Sequence, residues 1–469
     1  MKIGFIAMSG VRVHSPELLA LGLNLPGFVE RSKVIASLPS LGLLTLAGMM
    51  PADIEVEYIE IADLDPAAPL RGGFDAVAIS SFTAMIKDAY ALADRYRAAG
   101  VTVILGGLHV TLMPDEAAQH ADAIVIGEAE PVWPEVIRDL RAGRVKSRYQ
   151  AGPGAGAFDL SLAPMPRFDL LDPSRYNRLT IQTQRGCPFN CDFCAASIRL
   201  RPGYRTKPVA KILAEIDAIR RIWPEPFLEF ADDNTFADKR HGRALVEALR
   251  PLGLKWFTES DVSVARDPEL LRAMKASGCA QILVGFESPQ APALDGLEHS
   301  SNWKRKRLDE YRRAVDAVQG AGITLNGCFV LGLDGTDAGS FDAVYDFVKE
   351  TGLYEAQITV MTPFPGTPLY RRLLSQGRII EPGAWERCTL FDVNFVPERM
   401  TVEELERGFR DLMARIYERS FVSNRRRDFF RGLRTRLRDP ITADRSRASG
   451  PRPYAWHGGP SSERFAHDS

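Results

Sequence analysis

The chain has 469 residues, 45% hydrophobic and 25% charged, with a formal net charge of −1. At roughly 150 residues per domain this leaves room for two or three domains, and the composition excludes wholesale disorder and a polytopic membrane protein. A balance this close to neutral gives no global pull toward nucleic acid, and six cysteines are too few for a disulfide scaffold in so long a chain.

Met1–Ala7 holds one charge and a short apolar run with no long apolar region or small-residue cleavage site after it. It reads as a first β-strand, and the protein is expected in the cytoplasm. Val34–Ala52 carries no charge for 19 residues, yet Ser37, Pro39, Ser40, Gly42, Thr45, Gly48 and Pro51 interrupt it, so a buried loop and helix is expected rather than a membrane span. Up to residue 145, short apolar runs (Ile3–Ala7, Val56–Ile61, Ala76–Ile79, Val101–Leu105, Ala123–Ile126) alternate with helical stretches such as Met85–Ala98. That alternation predicts a doubly wound parallel sheet with ligands at the carboxyl ends of its strands. Small and polar residues stand at those ends: Ser80, Ser81 and Thr83 after one strand, Gly106, Gly107 and His109 after another, Gly127 and Glu128 after a third. Glycine there lets backbone approach a bulky cofactor; turns that touch nothing are the alternative.

Ala151–Phe158 (AGPGAGAF) and Pro164, Pro166 and Pro173 mark residues 146–178 as a linker. From 179 to 400 a second series of strands (Leu179–Thr183, Phe227–Phe230, Trp256–Thr258, Gln281–Val284, Ile323–Leu331, Glu355–Thr362) alternates with helices such as Val209–Ile222, Gly242–Leu249 and Asp337–Thr351. Six βα units predict a partial parallel barrel with its chemistry at the carboxyl strand ends; a second doubly wound sheet is the alternative. Residues 401–440 read as a basic helical extension, and 441–469, polar and rich in Gly, Pro and Ser, as a disordered tail.

Cys187, Cys191 and Cys194 fall within eight residues, directly after the first strand of the second series. C-x3-C-x2-C can turn three thiolates toward one soft metal centre. A structural zinc site wants a fourth ligand, and the nearest Cys or His residues, His241 and Cys279, lie far along the chain. A 4Fe–4S cluster on three cysteines leaves one iron open to a ligand. Cys279, Cys328 and Cys388 read as packing residues, although Cys328, in ITLNGCFVLG, can face the barrel interior.

This loop, QTQRGCPFNCDFC, at the head of a (β/α)6 partial barrel resembles the radical S-adenosylmethionine (radical SAM) superfamily, and its surroundings resemble the cobalamin-binding branch. The resemblance implies an α/β chain with an N-terminal Rossmann-like, flavodoxin-like cobalamin-binding domain (1–145), the partial TIM barrel (179–400) and the helical extension. It implies a 4Fe–4S cluster on Cys187, Cys191 and Cys194 whose open iron chelates SAM, reductive cleavage to a 5′-deoxyadenosyl radical, and a one-electron reductant such as flavodoxin or ferredoxin. By the same resemblance Asp232 and Asp233 approach the methionine amino group, Glu259, Gly285, Glu287 and Ser288 approach ribose or carboxylate, and Phe193 packs adenine. The first-domain loops with Ser80, Ser81, Thr83, Gly106, Gly107, His109, Gly127 and Glu128 become cobalamin contacts. The D-x-H-x-x-G motif of cobalamin enzymes with a histidine on cobalt is absent from all seven histidines, so the lower axial ligand is unassigned; His14 is a weak candidate.

The implied function is C-methylation of an unactivated carbon through the radical and methylcobalamin. The rivals are an oxidative cyclase or rearrangement enzyme of the same architecture, and a cobalamin- or cluster-binding sensor without turnover. The substrate is a small molecule or lipid: hopanoids, tetrapyrroles and natural-product intermediates all occur in the branch. Arg425–Arg438 places Phe429, Phe430, Leu433 and Leu437 near one helical face among arginines. That face fits either an anionic membrane surface or, more simply, a helix docked on the barrel, and a patch that recognises an anionic substrate is a third reading.

Overall fold

The computed structural model describes residues 1–8, 38–152, 156–195 and 203–438, with side chains to residue 435. His14, the tail 441–469 and the side chain of Leu437 lie outside the described residues.

Strands β1 (Lys2–Met8), β2 (Glu55–Ile61), β3 (Ala76–Ser81), β4 (Thr102–Gly106), β5 (Ala123–Ile126) and β6 (Arg148–Gln150) form one parallel sheet in the order β2-β1-β3-β4-β5-β6. The β1 residues Ile3–Met8 are buried, as expected for a central strand covered on both faces. The first five strands have the flavodoxin-like order, whose switch point between β1 and β3 opens a crevice at the carboxyl ends. β6 was not expected: it falls in the presumed linker, and its three residues are too short to show alternation. Only Tyr149 is buried, with its hydroxyl donating to Asp139 at 3.1 Å.

The uncharged stretch before Ala52 forms the helix Leu41–Gly48, capped by Ser40 and buried at Leu43, Leu44 and Ala47. A Cβ on Gly48 would stand 2.0 Å from the Met165 carbonyl oxygen, so glycine lets this helix end pass against the connecting segment. That segment is packed: Phe168, Leu171 and Tyr176 join the core of the second domain.

The second sheet is also wholly parallel, in the order β14-β13-β12-β11-β10-β7, and open between its edge strands. Its strands are β7 (Leu179–Ile181), β10 (Phe227–Phe230), β11 (Lys255–Ser260), β12 (Cys279–Glu287), β13 (Thr324–Leu331) and β14 (Glu355–Val360). Helices clothe its outer face; Val209–Ile222, for example, buries Ile212, Ile216 and Ile219 at helical spacing. The antiparallel pair β8 (Gln184–Arg185) and β9 (Arg205–Thr206) closes the base of the excursion that carries the cysteines. This is the expected (β/α)6 partial barrel.

Val402–Ile416 starts at a Thr401–Glu404 capping box and buries Leu405, Phe409, Leu412 and Ile416, each burial stabilising by roughly 2 kcal/mol. The helix Arg419–Arg438 docks on the barrel: the Arg425 guanidinium donates to the carbonyls of Leu353 (3.0 Å) and Ile416 (3.1 Å), and Phe429 packs edge-on to Tyr354. The apolar face weighed for a membrane is therefore turned inward at Phe429, and Phe430 is the exposed aromatic at 47%. No helix among the described residues is long and apolar enough to cross a membrane.

Candidate functional site

Cys187, Cys191 and Cys194 line one cavity of about 290 Å³ at the carboxyl ends of the barrel strands. Backbone contacts shape their loop. Asp192 N–H donates to Leu297 O (2.9 Å), Cys194 N–H donates to Cys191 O (3.2 Å), and Cys191 forms an antiparallel bridge with Glu298. Arg372 donates to the Asp192 carboxylate at 2.6 Å. Burial pushes the Cys187 thiol up to about 11 and the Cys191 thiol up to about 12, so metal loading would release protons. Among the described residues no three His, Cys, Asp or Glu side chains converge closely enough to hold a single ion. Three soft donors around one cavity instead fit a cluster large enough to meet each thiolate at its own corner.

Phe193, Asp233, Glu259, Gly285 and Glu287 line the same cavity, whereas Asp232 and Ser288 do not. Asp232, 4% exposed, accepts from Thr183 N–H (2.8 Å), Gln184 N–H (3.1 Å), the Thr235 hydroxyl (2.8 Å) and the Thr183 hydroxyl. It fixes the end of β7 where the cysteine excursion begins. Burial raises its pKa to about 6 against those hydrogen bonds. Ser288 is buried, and its oxygen accepts from Gln290 N–H. In both pairs the strand end gives neighbouring residues opposite directions, so one member faces inward. The cap of the following helix is Asp238, and Asp233 lines the cavity.

Glu287 has φ +61 and pairs at 2.6 Å with Lys304, whose ammonium also donates to Gly285 O at 3.0 Å. A Cβ on Gly285 would stand 2.5 Å from Glu287 Oε1, so glycine makes room for this pair. Lys304 carries no motif signal, and sequence reading missed it. Cys328 does face this cavity, while Cys279 and Cys388 are buried. Burial, then the charges of Glu229, Asp233 and Asp232, push the Glu259 carboxyl up to about 8. A cationic ligand would find here a carboxyl ready to ionise.

Ser80, Gly106, Gly107, Gly127 and Glu128 line a second cavity of about 360 Å³ at the carboxyl ends of the first sheet, together with Gln182, Arg185, Ala231 and Asp233 from the barrel. Gly127, at φ +83, has no atom within 4 Å of where a Cβ would project, which leaves the open cradle that a bulky cofactor needs. Glu128 is engaged by Arg185 (2.6 Å), Arg205 (3.0 Å) and Phe158 N–H (2.8 Å). Ser81, Thr83 and His109 do not line this cavity. The Ser81 hydroxyl donates to Phe82 O, and Thr83 is buried in a short turn. His109 is 0% exposed, with Nε2 3.3 Å from Glu116 and its ring edge-on to Trp385; burial lowers its pKa against Glu116. The helix Leu108–Leu112 turns His109 away from the crevice into the core. Asp233 lines both cavities.

A fold and site of this kind define a two-cofactor radical enzyme, and the comparisons agree. The description "Radical SAM superfamily" matches residues 181–348, "B12 binding domain" matches 31–137, and "Domain of unknown function (DUF4070)" matches 367–451. Bacteriochlorophyllide d C-12(1)-methyltransferase of Chlorobaculum tepidum is 29% identical over 82% of this chain and 84% of its own. Anaerobic magnesium-protoporphyrin IX monomethyl ester cyclase of Rubrivivax gelatinosus is 25% identical over 74% and 63%. The solved structure of the radical SAM methyltransferase TsrM from Kitasatospora setae, with cobalamin and [4Fe-4S] cluster bound, superposes with TM-score 0.59 at 15% identity, covering 81% of this chain and 76% of that one.

The chain carries a B12-binding domain followed by a radical SAM domain. It is an enzyme whose cofactors are a 4Fe–4S cluster, S-adenosylmethionine and cobalamin.

Proposed function

We propose that this enzyme is a C-methyltransferase acting on an unactivated carbon of a small, largely apolar molecule. The observation that carries the reading is the meeting of two cavities at Asp233, one bearing the three cysteines and the other the open glycine loops. The methyltransferase relative, which aligns over most of both chains, supports it. When bound, the cluster with SAM supplies a one-electron route to hydrogen-atom abstraction, and cobalamin supplies the methyl group.

The chain's own residues bind, orient and exclude water. Cys187, Cys191 and Cys194 would hold the cluster. Asp233 and Glu259 would meet the cationic end of SAM, Lys304 and Glu287 its carboxylate and ribose, and Phe193 its adenine. Ser80, Gly106, Gly107 and Gly127 would cradle cobalamin. Leu283, Val330, Val360, Met361, Phe364 and Leu390 give the cysteine cavity an apolar wall, which favours a hydrophobic substrate and keeps water from a reactive carbon. Held in these two neighbouring cavities, the cofactors would be oriented before chemistry begins.

The cyclase relative supports a second reading, oxidative cyclisation without methyl transfer. The enzyme would work in the cytoplasm with a flavodoxin or ferredoxin as electron donor. Protein purified without oxygen and reconstituted with iron and sulfide is incubated with cell extract, reductant and CD3-labelled SAM. A product heavier by one CD3 group establishes methylation. 5′-Deoxyadenosine with an unlabelled product establishes the second reading, and neither, with all cofactors bound, overturns both.

A further inference from the structure

Glu298 lies outside every motif of the family resemblance, yet the residue is 1% exposed and its carboxylate accepts five hydrogen bonds. Oε1 accepts from the backbone N–H of Asn190 (3.2 Å) and Ser300 (2.9 Å). Oε2 accepts from Ser301 N–H (2.8 Å), the Ser301 hydroxyl (2.9 Å) and Trp303 N–H (3.3 Å). One carboxylate thus joins the cysteine excursion at Asn190, one residue before Cys191, to the turn from Ser300 to Trp303.

The same strip is sewn down on either side. Asp192 N–H donates to Leu297 O, His299 N–H donates to Asn190 O at 3.0 Å, and the Phe189 and Trp303 rings lie 4.5 Å apart. The turn delivers Lys304 into the cysteine cavity, where Glu287 and Gly285 O fix its ammonium. A buried carboxylate that accepts five hydrogen bonds is a rigid hub, and removing it would leave the N–H groups of Asn190, Ser300, Ser301 and Trp303 without their shared acceptor.

We propose that Glu298 is a positioning residue for the cluster site: by tying Asn190 to the 300–303 turn it sets where Cys191 and Lys304 stand relative to each other. The proposal rests on the cysteine cavity holding the cluster. Outer contacts of this kind orient metal ligands, and their loss weakens metal retention.

The test compares wild type, Glu298→Gln and Glu298→Ala as full-length, reconstituted protein. The readouts are cluster loss to a chelator, the electron paramagnetic resonance signal of the reduced cluster, cobalamin uptake by absorbance and the thermal midpoint of the metal-free chain. The expected result for Glu298→Gln, which keeps the volume but only one oxygen acceptor, is cluster loss faster by about 10-fold with an altered signal. Its cobalamin uptake should be unchanged. Glu298→Ala should be at least as impaired in cluster retention. Should Glu298→Ala fail to fold, Glu298→Gln alone decides. A Gln variant with wild-type retention and signal overturns the proposal, as does one whose cobalamin uptake falls in step with its cluster, since that marks a general fold defect. Wild-type protein that takes up no cluster would overturn instead the reading of the cavity on which the proposal stands.

Discussion

Arg185 Nη1 lies 2.6 Å from Glu128 Oε1, joining the residue two before Cys187 to the loop after β5 of the first domain. Arg185 also reaches Glu130 at 2.7 Å, and Arg205 reaches Glu128 at 3.0 Å. Glu128, expected as a cofactor contact, therefore serves as a clamp between the two domains. Burial pushes its carboxyl up, but the hydrogen bonds from Arg205, Phe158 N–H and Arg185 outweigh that and hold it below the ordinary value of 4.5.

Arg185→Met leaves Glu128 and Glu130 facing each other with one cation fewer. The expected cost is about 2–4 kcal/mol, at the lower end of a broken buried pair because the network is partly exposed. Because the folded pKa of Glu128 is depressed, its contribution is present above the unfolded value and lost as pH falls through the folded one. Urea unfolding of wild type and variant at neutral pH and near pH 4 measures both effects, with the gap between them narrowing in acid. A gap that stays constant would remove Glu128 from the clamp.

Cys191→Ala tests the centre itself. The variant should fold and take up cobalamin, because the first-domain cavity contains no part of Cys191. It should lose iron on desalting and form no 5′-deoxyadenosine from SAM and reductant. Wild type should lose activity in air, since a cluster with an open iron is oxygen-labile. Retention of 5′-deoxyadenosine formation by the variant would sink the ligand assignment.

Strand runs and the cysteine spacing were legible because hydrophobic periodicity and ligand spacing are local properties of the chain. A doubly wound parallel sheet and a second series of βα units follow from them. The flavodoxin-like order and the choice of a partial barrel came with the family resemblance, and Gly106, Gly107 and Gly127 stand at the strand ends where turn chemistry placed them. What was illegible depends on direction or on distant partners. Asp232 and Asp233 are neighbours of identical chemistry, and only the turn decides that one staples backbone while the other faces two cavities. His109 lies in the first turn of a short helix, Leu108–Leu112, that rotates it into the core. Lys304 and Glu298 act through contacts 17 and 108 residues away in sequence, which no local pattern encodes.

The C-terminal helix gives a prediction that separates docking from membrane contact. Truncation before Arg425 removes the guanidinium that satisfies Leu353 O and Ile416 O and exposes the surface under Phe429. Burial of one phenylalanine alone is worth about 2–3 kcal/mol, so the truncated chain should unfold at clearly lower urea. It should pellet with anionic liposomes no less than the intact chain. Pelleting lost on truncation would restore the membrane role.

Glu259 contributes to the pH dependence of the cofactor-free protein, alongside Asp232, whose carboxyl is raised to about 6. It faces Glu229, Asp233 and Asp232, whose charges add to burial, and it stands near the Cys328 thiol. With a folded pKa of about 8 against an ordinary 4.5, the folded state holds a proton that the unfolded state has released between those values. Stability therefore falls as pH rises through that window, by at most about 1.4 kcal/mol per unit from this one group. Glu259→Gln cannot ionise, so its urea midpoint should decline less between pH 5.5 and 7.5 than that of wild type, and the variant should be the more stable of the two at the upper end. SAM brings a positive charge to the same cavity and should draw the wild-type carboxyl down. Binding near neutral pH should therefore release a proton, seen as a buffer-dependent heat in calorimetry, and the Gln variant should lack it. Parallel pH profiles for the two proteins would rule out Glu259 as the titrating group.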